Sequence, residues 1–428
     1  MAKRKKKQEN QKRSDTAEGA RASGNTGKSG HTEHAGIAGG FMSVAQPGNR
    51  GKWLPRIAVL VVFLILYMGA LYWANTGWNG YTITEDSGTE YEKAKVLSVL
   101  EDNTVTDEDY EGYSVGSTEL EVEILSGRYK GDVVQITNYL SALYNVDVGE
   151  GDTITVRIDT SGVDVYSVSV YNYYRTPWLL LFIAFFALAL ILLGGMQGLR
   201  AFLGLIFAFV SVVFLLVPLT LRGYPSVPLT VILVAVTTAV GFFLLGGWQP
   251  KTVGAALGCI CGVCFAALLG AAAIGLVHVS AYQSDEAEAL MLAQAENGLK
   301  IRGLYLSSIL ITALGAVMDI AMSVASSMDE LRAKRPDIAA RELFASGMRV
   351  GRDATGTMAN TLVLAIAGSS FNMMILIYSY QVSFTQLMNT DFVALELIRA
   401  IAGSLGILLA VPSVAAITAG LLTRRSAG

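Results

Sequence analysis

The chain has 428 residues, 52% of them apolar and only 16% charged, with a mean hydropathy of +0.46. Soluble domains carry roughly a quarter charged residues, so this composition excludes an ordinary soluble protein and marks a membrane protein. Three Cys and three His over such a length exclude a disulfide scaffold and argue against a Cys/His metal site.

The net charge of −3 averages two opposites. Residues 1–56 hold twelve Lys/Arg, five of them in KRKKK (3–7), against four acids, and the remainder is mostly Gly, Ser, Asn and Gln. Such a segment has too little to bury to offset chain entropy, so it reads as a disordered cytoplasmic tail. Its basic run either meets anionic lipid headgroups or serves only to set topology.

Eight apolar runs come next, each long enough for roughly 30 Å of hydrocarbon. They lie near 57–74, 178–196, 202–221, 227–247, 253–279, 304–328, 358–380 and 398–421. The first, IAVLVVFLILYMGALYWA, is too long for a signal-peptide core and begins past residue 50, so it is read as an uncleaved anchor. With the N-terminus in the cytoplasm, eight crossings return the C-terminal tail, 423–428, there too. Of the 32 Lys/Arg, 22 then fall inside. Six of the ten outside sit in one large domain, where charge has little say in topology. A cell-membrane protein with both termini cytoplasmic is expected.

Between the first and second runs, residues 75–176 carry nineteen acids and six bases, with no cysteine. ELEVEILSG (119–127), DVVQIT (132–137) and DTITVRID (152–159) alternate polar and apolar, as half-buried strands do. GRYKG (127–131) and VGEGD (148–152) read as turns. A small antiparallel sheet or barrel, outside the membrane, is expected. The carboxylates lack the spacing of an EF-hand loop and are read as a solvated face rather than a calcium site.

The sixth run holds Asp319, the one acid deep in any run. On a helix, Ser308, Thr312, Gly315, Asp319, Ser323, Ser326 and Glu330 fall within an arc of about 80°. A polar stripe along a spanning helix cannot face lipid, so it faces other helices or a wet cavity. Asp319 then is either a titrating group on a proton or cation path or a hydrogen-bonding partner in helix packing. The seventh run supplies the expected partner face, with Asp353, Thr357, Asn360 and Thr361 on one side. Arg349 and Arg352 are placed at the membrane edge, where Arg352 either serves as an ordinary positive-inside anchor or pairs with Glu330. The fifth run repeats small residues every fourth position, at Gly254, Gly258, Gly262, Ala266 and Gly270, a ridge for close helix packing. Cys259, Cys261 and Cys264 share that helix and read as small fillers. No HExxH, GxSxG or GK[ST] phosphate loop occurs, and intramembrane aspartyl chemistry needs two facing carboxylates. No enzyme, cofactor, metal or nucleic-acid role is expected.

GAVMDIAMSVASSMDEL (315–331), GRDATGTMANTLVLAIAGSS (351–370) and ELEVEILSGRYKG (119–131) resemble the YibE/F family of bacterial multispan membrane proteins over roughly residues 58–422. That family supplies a class without a mechanism. The order of an acid within a span, a charged connector and a Thr/Gly-rich next span is also similar to the permease halves of resistance-nodulation-division and SecD/SecF-type proteins, which draw on the proton-motive force. Here there is one large outer domain and no evident second permease half. The expected architecture is an α-helical bundle of about eight spans, the anchor 57–74 and seven helices over 177–422, with a small β-rich extracytoplasmic domain. The expected role is a secondary transporter or channel-like permease for a small solute or ion. The alternative is a non-transporting scaffold whose outer domain binds a membrane or envelope protein.

Overall fold

The computed structural model describes residues 50–76, 88–106, 110, 112–142, 144–160, 166–283 and 287–424. Most of the basic tail expected over 1–56, and the last residues of the C-terminal tail, lie outside them. The chain forms two compact units, Met1–Tyr67 and Met68–Gly428. Among the described residues the first holds only the opening of helix α1 (Arg50–Asn75). The second carries a β part and a helical part.

Six strands are described in the β part: β1 (Thr89–Asp102), β2 (Val105–Thr106), β3 (Ser114–Ile124), β4 (Val133–Leu140), β5 (Thr153–Asp159) and β6 (Ser167–Tyr173). Alternation decides which way each residue points. In β3, Thr118, Leu120, Val122 and Ile124 are buried while Glu119, Glu121 and Glu123 face outward. The inward set joins Ala94, Val96, Ile136, Ile154, Val156 and Ile158 in one core. All pairs are antiparallel, in the order β4-β3-β1-β5-β6, and β2 adds to the start of β3. Two register shifts in β1, at Val96/Ser98 and Val99/Glu101, bend that strand. The end strands β4 and β6 are thereby brought together. Tyr166, just before β6, donates a 2.7 Å hydrogen bond to Asp132, just before β4, and its ring lies 4.2 Å from that of Tyr129. The sheet thus curls until its two ends meet, a small barrel-like arrangement with its seam between β4 and β6. The β3–β4 turn uses Gly127 and Gly131 at φ +77° and +95°, where only glycine is unstrained.

The helical part begins with α2 (Thr176–Ser211), which continues through a π-helical stretch (Val212–Leu216) into α3 (Val217–Leu221), 46 residues in all. It is not straight. Gly195 departs from helical geometry (φ 55°, ψ −134°), and the rings of Phe186 and Phe202 lie 6.5 Å apart. Along a straight helix those two would be about 24 Å apart. The chain therefore folds back near Gly195 into a helical hairpin. Arg222, after α3, donates 2.7 Å hydrogen bonds to the carbonyls of Trp73 and Thr76, and the Asn75 amide donates to that of Phe214. These bonds fasten the end of α1.

The remaining helices are α4 (Ser226–Gly246), α5 (Pro250–Val277), α6 (Ala287–Asn297), α7 (Leu304–Lys334), α8 (Ala340–Ser369), α9 (Phe371–Ser379), α10 (Phe384–Met388) and α11 (Asp391–Arg424). The eight expected runs map onto these unevenly. By length and apolarity five helices among the described residues are able to cross a membrane, namely Thr176–Leu221, α4, α5, α7 and Asp391–Thr423. A sixth results if α8 and α9, bent by 59°, are one broken span. The runs expected at 178–196 and 202–221 share the folded-back helix. The run expected at 358–380 belongs to a helix that starts at Ala340 and breaks at Ser370. In α1 the apolar stretch described is Val61–Asn75.

Helix α11 packs against α5, α7 and α8. Small residues make these contacts possible. Gly254 meets Thr418, Gly258 meets Val414, Gly262 meets Ala410 and Val317, Ala266 meets Gly406, and Gly270 meets Ile309. From α8, Gly347 meets Ala415 and Met328, and Gly351 meets Val411. A Cβ at Gly262 would stand 2.6 Å from the Ala410 Cβ and 2.9 Å from a Val317 methyl.

The packing and the barrel seam each yield a prediction. Gly262→Leu should lower the unfolding temperature of the detergent-solubilised protein, by an overpacking cost of about 1–3 kcal/mol. Gly275→Ala, where nothing lies within 4 Å, should leave it unchanged. At the seam, the hydrogen bond to the Asp132 carboxylate raises the Tyr166 pKa above 10. The neutral phenol is the form the fold prefers, so this contribution is complete below about pH 10 and lost as pH rises through the raised value. In a ¹³C-tyrosine NMR titration Tyr166 should ionise later than free tyrosine, and Asp132→Asn should bring it back.

Candidate functional site on helices α7 and α8

Helix α7 places its polar stripe on one side, as the spacing requires, and that side faces out of the chain. Gly315, Asp319, Ser323 and Glu330 are exposed, and Ser308, Thr312 and Ser326 are half-buried. Ile309, Leu310, Ala313, Val317, Ile320, Ala321, Val324 and Met328 fill the opposite, buried side. Helix α8 behaves likewise. Leu343, Gly347, Gly351, Leu362 and Ile366 are buried, while Arg349, Arg352, Asp353, Gly356, Thr357, Asn360 and Thr361 are exposed. Among the described residues no helix of the chain covers the stripe, which was expected to face other helices or a wet cavity. The buried faces of α7 and α8 pack on α5 and α11, and on α4 through Met318, while the polar stripe shares the outer surface with apolar residues such as Leu364.

Glu330 pairs with Lys334 (3.1 Å, one turn along), not with Arg352. Among the described residues Asp319 makes no side-chain hydrogen bond or ion pair with Asp353, Thr357, Asn360 or Thr361. Gly262 touches both Ala410 and Val317, and Gly351 touches Val411. Asp319, Arg352 and Asp353 therefore lie within about a turn of one contact layer, beside the middle of α11 rather than at a helix end.

The hydroxyls on the stripe are tied back into their own helices. Ser308 donates to the Tyr305 carbonyl (2.8 Å), Thr312 to Ser308 (2.9 Å), Ser323 to Asp319 (2.8 Å) and Thr361 to Thr357 (2.7 Å). With their protons so engaged, these oxygens offer lone pairs outward. Around Asp319 the face is a row of acceptors, a chemistry that suits protons or cations better than anions.

Sequence reasoning missed one charged pair. Glu396 and Arg399 of α11 form a 2.7 Å ion pair with side chains only 12% and 20% exposed, and Arg399 also donates to Ser308 at 3.2 Å. This pair closes the α7 stripe at the end opposite Glu330. Glu396 falls outside the run expected at 398–421 and Arg399 at its edge, so both look interfacial in the sequence. At the other end Lys251 and Asp329 pair at 2.8 Å beside a cleft of about 300 Å³ lined by Gln249, Arg332 and Pro336. A larger cleft, about 650 Å³, lies where α7 begins, between Val227, Gly275, Tyr282, Arg302 and Tyr305. Of the cysteines, Cys259 is buried and Cys261 and Cys264 are exposed. No group of His, Cys, Asp and Glu suited to a metal ion is found among the described residues.

Long apolar helices, tied by small-residue contacts and preceded by a small β barrel, are those of a membrane protein. Comparison with protein families gives the narrower assignment. Residues 182–424 match the family described as YibE/F-like protein, and residues 88–173 match the YibE/F family N-terminal domain. The chain belongs to the YibE/F family. No curated protein and no solved structure matches it.

The Glu396–Arg399 pair has a testable energetic signature. Arg399→Met leaves a mostly buried carboxylate unpaired and should destabilise the solubilised protein by about 2–3 kcal/mol. Adding Glu396→Gln should recover most of that loss, which thermal unfolding of the two variants will read as non-additivity.

Proposed function

We propose that this protein is a multi-pass permease of the cell membrane, a secondary transporter or channel-like path for protons or small cations. In this reading the chain crosses eight times. The hairpin α2–α3 provides two crossings, α1 and the bent pair α8–α9 one each, and α4, α5, α7 and α11 the rest. The Lys/Arg distribution puts both termini in the cytoplasm and the β barrel outside. No catalytic chemistry is assigned to any residue.

The observation that carries the reading is Asp319. It sits fifteen residues from either end of α7, so about 22 Å of helix separates it from each end. A carboxylate at that depth costs at least a few kcal/mol and marks an ion or proton path more often than a surface. The acceptor row of Ser308, Thr312 and Ser323 continues from it, with Ser326 alongside.

A second reading is favoured by the outward aspect of the stripe, which no helix among the described residues encloses. On that reading the helices only anchor the barrel, and the barrel binds a membrane or envelope protein. Asp319→Asn separates the two. In reconstituted vesicles the permease reading expects ion- or proton-coupled flux to fall at least tenfold while the variant inserts and packs normally. Full flux in the variant would exclude Asp319 from any path.

A further inference from the structure

We infer that a second copy of this chain covers the polar face of α7 and α8, forming a two-fold pair about an axis along the membrane normal. The inference rests on the membrane-crossing reading above but needs no transport. Asp319 of α7 and Arg349, Arg352, Asp353 and Asn360 of α8 are all exposed, on two helices that pack against each other. The contacts of Gly262 with Val317 and Ala410, and of Gly351 with Val411, hold these groups level with the middle of the helices. At that depth acyl chains satisfy none of them, and groups of this kind pair, hydrate or turn toward protein.

Charge identifies the occupant. The face holds two arginines and two aspartates within a few turns. Among the described residues Arg352, Asp353 and Asp319 make no ion pair within the chain, and Arg349 reaches only the Ser346 hydroxyl, at 3.2 Å. A two-fold axis normal to the membrane returns every residue at its own depth. With the axis passing between Arg352 and Asp353, Arg352 of one copy meets the acidic groups of the second copy, and the reverse, so that both pairs form at once. No other partner is needed to complete the set. Gly356 has nothing within 4 Å of the position a Cβ would take, and Asn360 comes one turn later. A bare backbone and an amide allow two helices to approach and hydrogen-bond across the contact.

Charge reversal tests the pair. Two differently tagged full-length chains are co-expressed, solubilised in mild detergent and co-purified. Native chains should co-purify. Asp353→Arg with itself, and Arg352→Asp with itself, set like charges face to face and should lower recovery about tenfold or more. Asp353→Arg mixed with Arg352→Asp restores opposite charges in trans and should return recovery to within about twofold of native. Equal recovery of all combinations would overturn the inference, as would failure of the mixed pair to recover. A milder variant guards against misfolding. In a Cys259→Ala, Cys261→Ala, Cys264→Ala background, Asn360→Cys should give an oxidised dimer in membranes, and Leu268→Cys on the exposed side of α5 should not. A cross-link to a chain of another mass overturns the second-copy assignment. A thiol at 360 that stays monomeric and reacts with a water-soluble maleimide overturns the pair alone, because water then covers the face and the Asp319 path stands. A thiol that does neither faces lipid, and both the pair and the path fall.

Discussion

The contact of α11 with α5, made by residues too small to keep the backbones apart, is the constraint on which the rest of the helical part depends. Gly254, Gly258 and Gly262 bring α5 against Thr418, Val414 and Ala410, and the same helix meets Gly347 and Gly351 of α8. Close packing of this kind uses the glycine-lined face of each helix, while other apolar residues, among them Leu268 of α5, Leu364 of α8 and Ile401 of α11, stay exposed. The polar residues of α7 and α8 share that outer surface with them.

Much of this was legible in the residues alone. The four-residue spacing in 254–270 announces a ridge, and the three-four spacing from Ser308 to Glu330 announces a stripe, because helix periodicity is a local property. Turn glycines at 127 and 131 and the alternation in 119–127 and 132–137 likewise mark strands β3 and β4. The features that stayed hidden depend on contacts between distant segments. Nothing in the sequence near Asp319 says whether its stripe points inward or outward, since either aspect has the same period. Glu396 and Arg399 were invisible as a pair because each flanked an apolar run and looked like an ordinary interfacial charge. Hydropathy centres the seventh run on its apolar half, whereas α8 begins at Ala340 and meets Val411 through Gly351 in its polar half.

The barrel shows the same division. Strands with a clean alternation were readable, but β1 and β6, with longer or more polar patterns, were not. Their placement rests on pairing, and β1 is the strand on which the order turns because it pairs with both β3 and β5. Its outward face sets Glu101 directly across from Glu119, a like-charge pair that the barrel carries on exposed positions, where water screens it.

The hairpin that reverses at Gly195 differs in kind from the helices around α11. Its large side chains, Phe186 and Phe202 among them, touch across the fold, and much of its surface is bare of protein. Helices locked by glycine have no slack, since a shift of even a fraction of a side chain at Gly258 would drive Val414 into a backbone. The α2–α3 hairpin, whose halves meet through bulky, adaptable side chains, has a looseness that the glycine-packed block around α11 lacks.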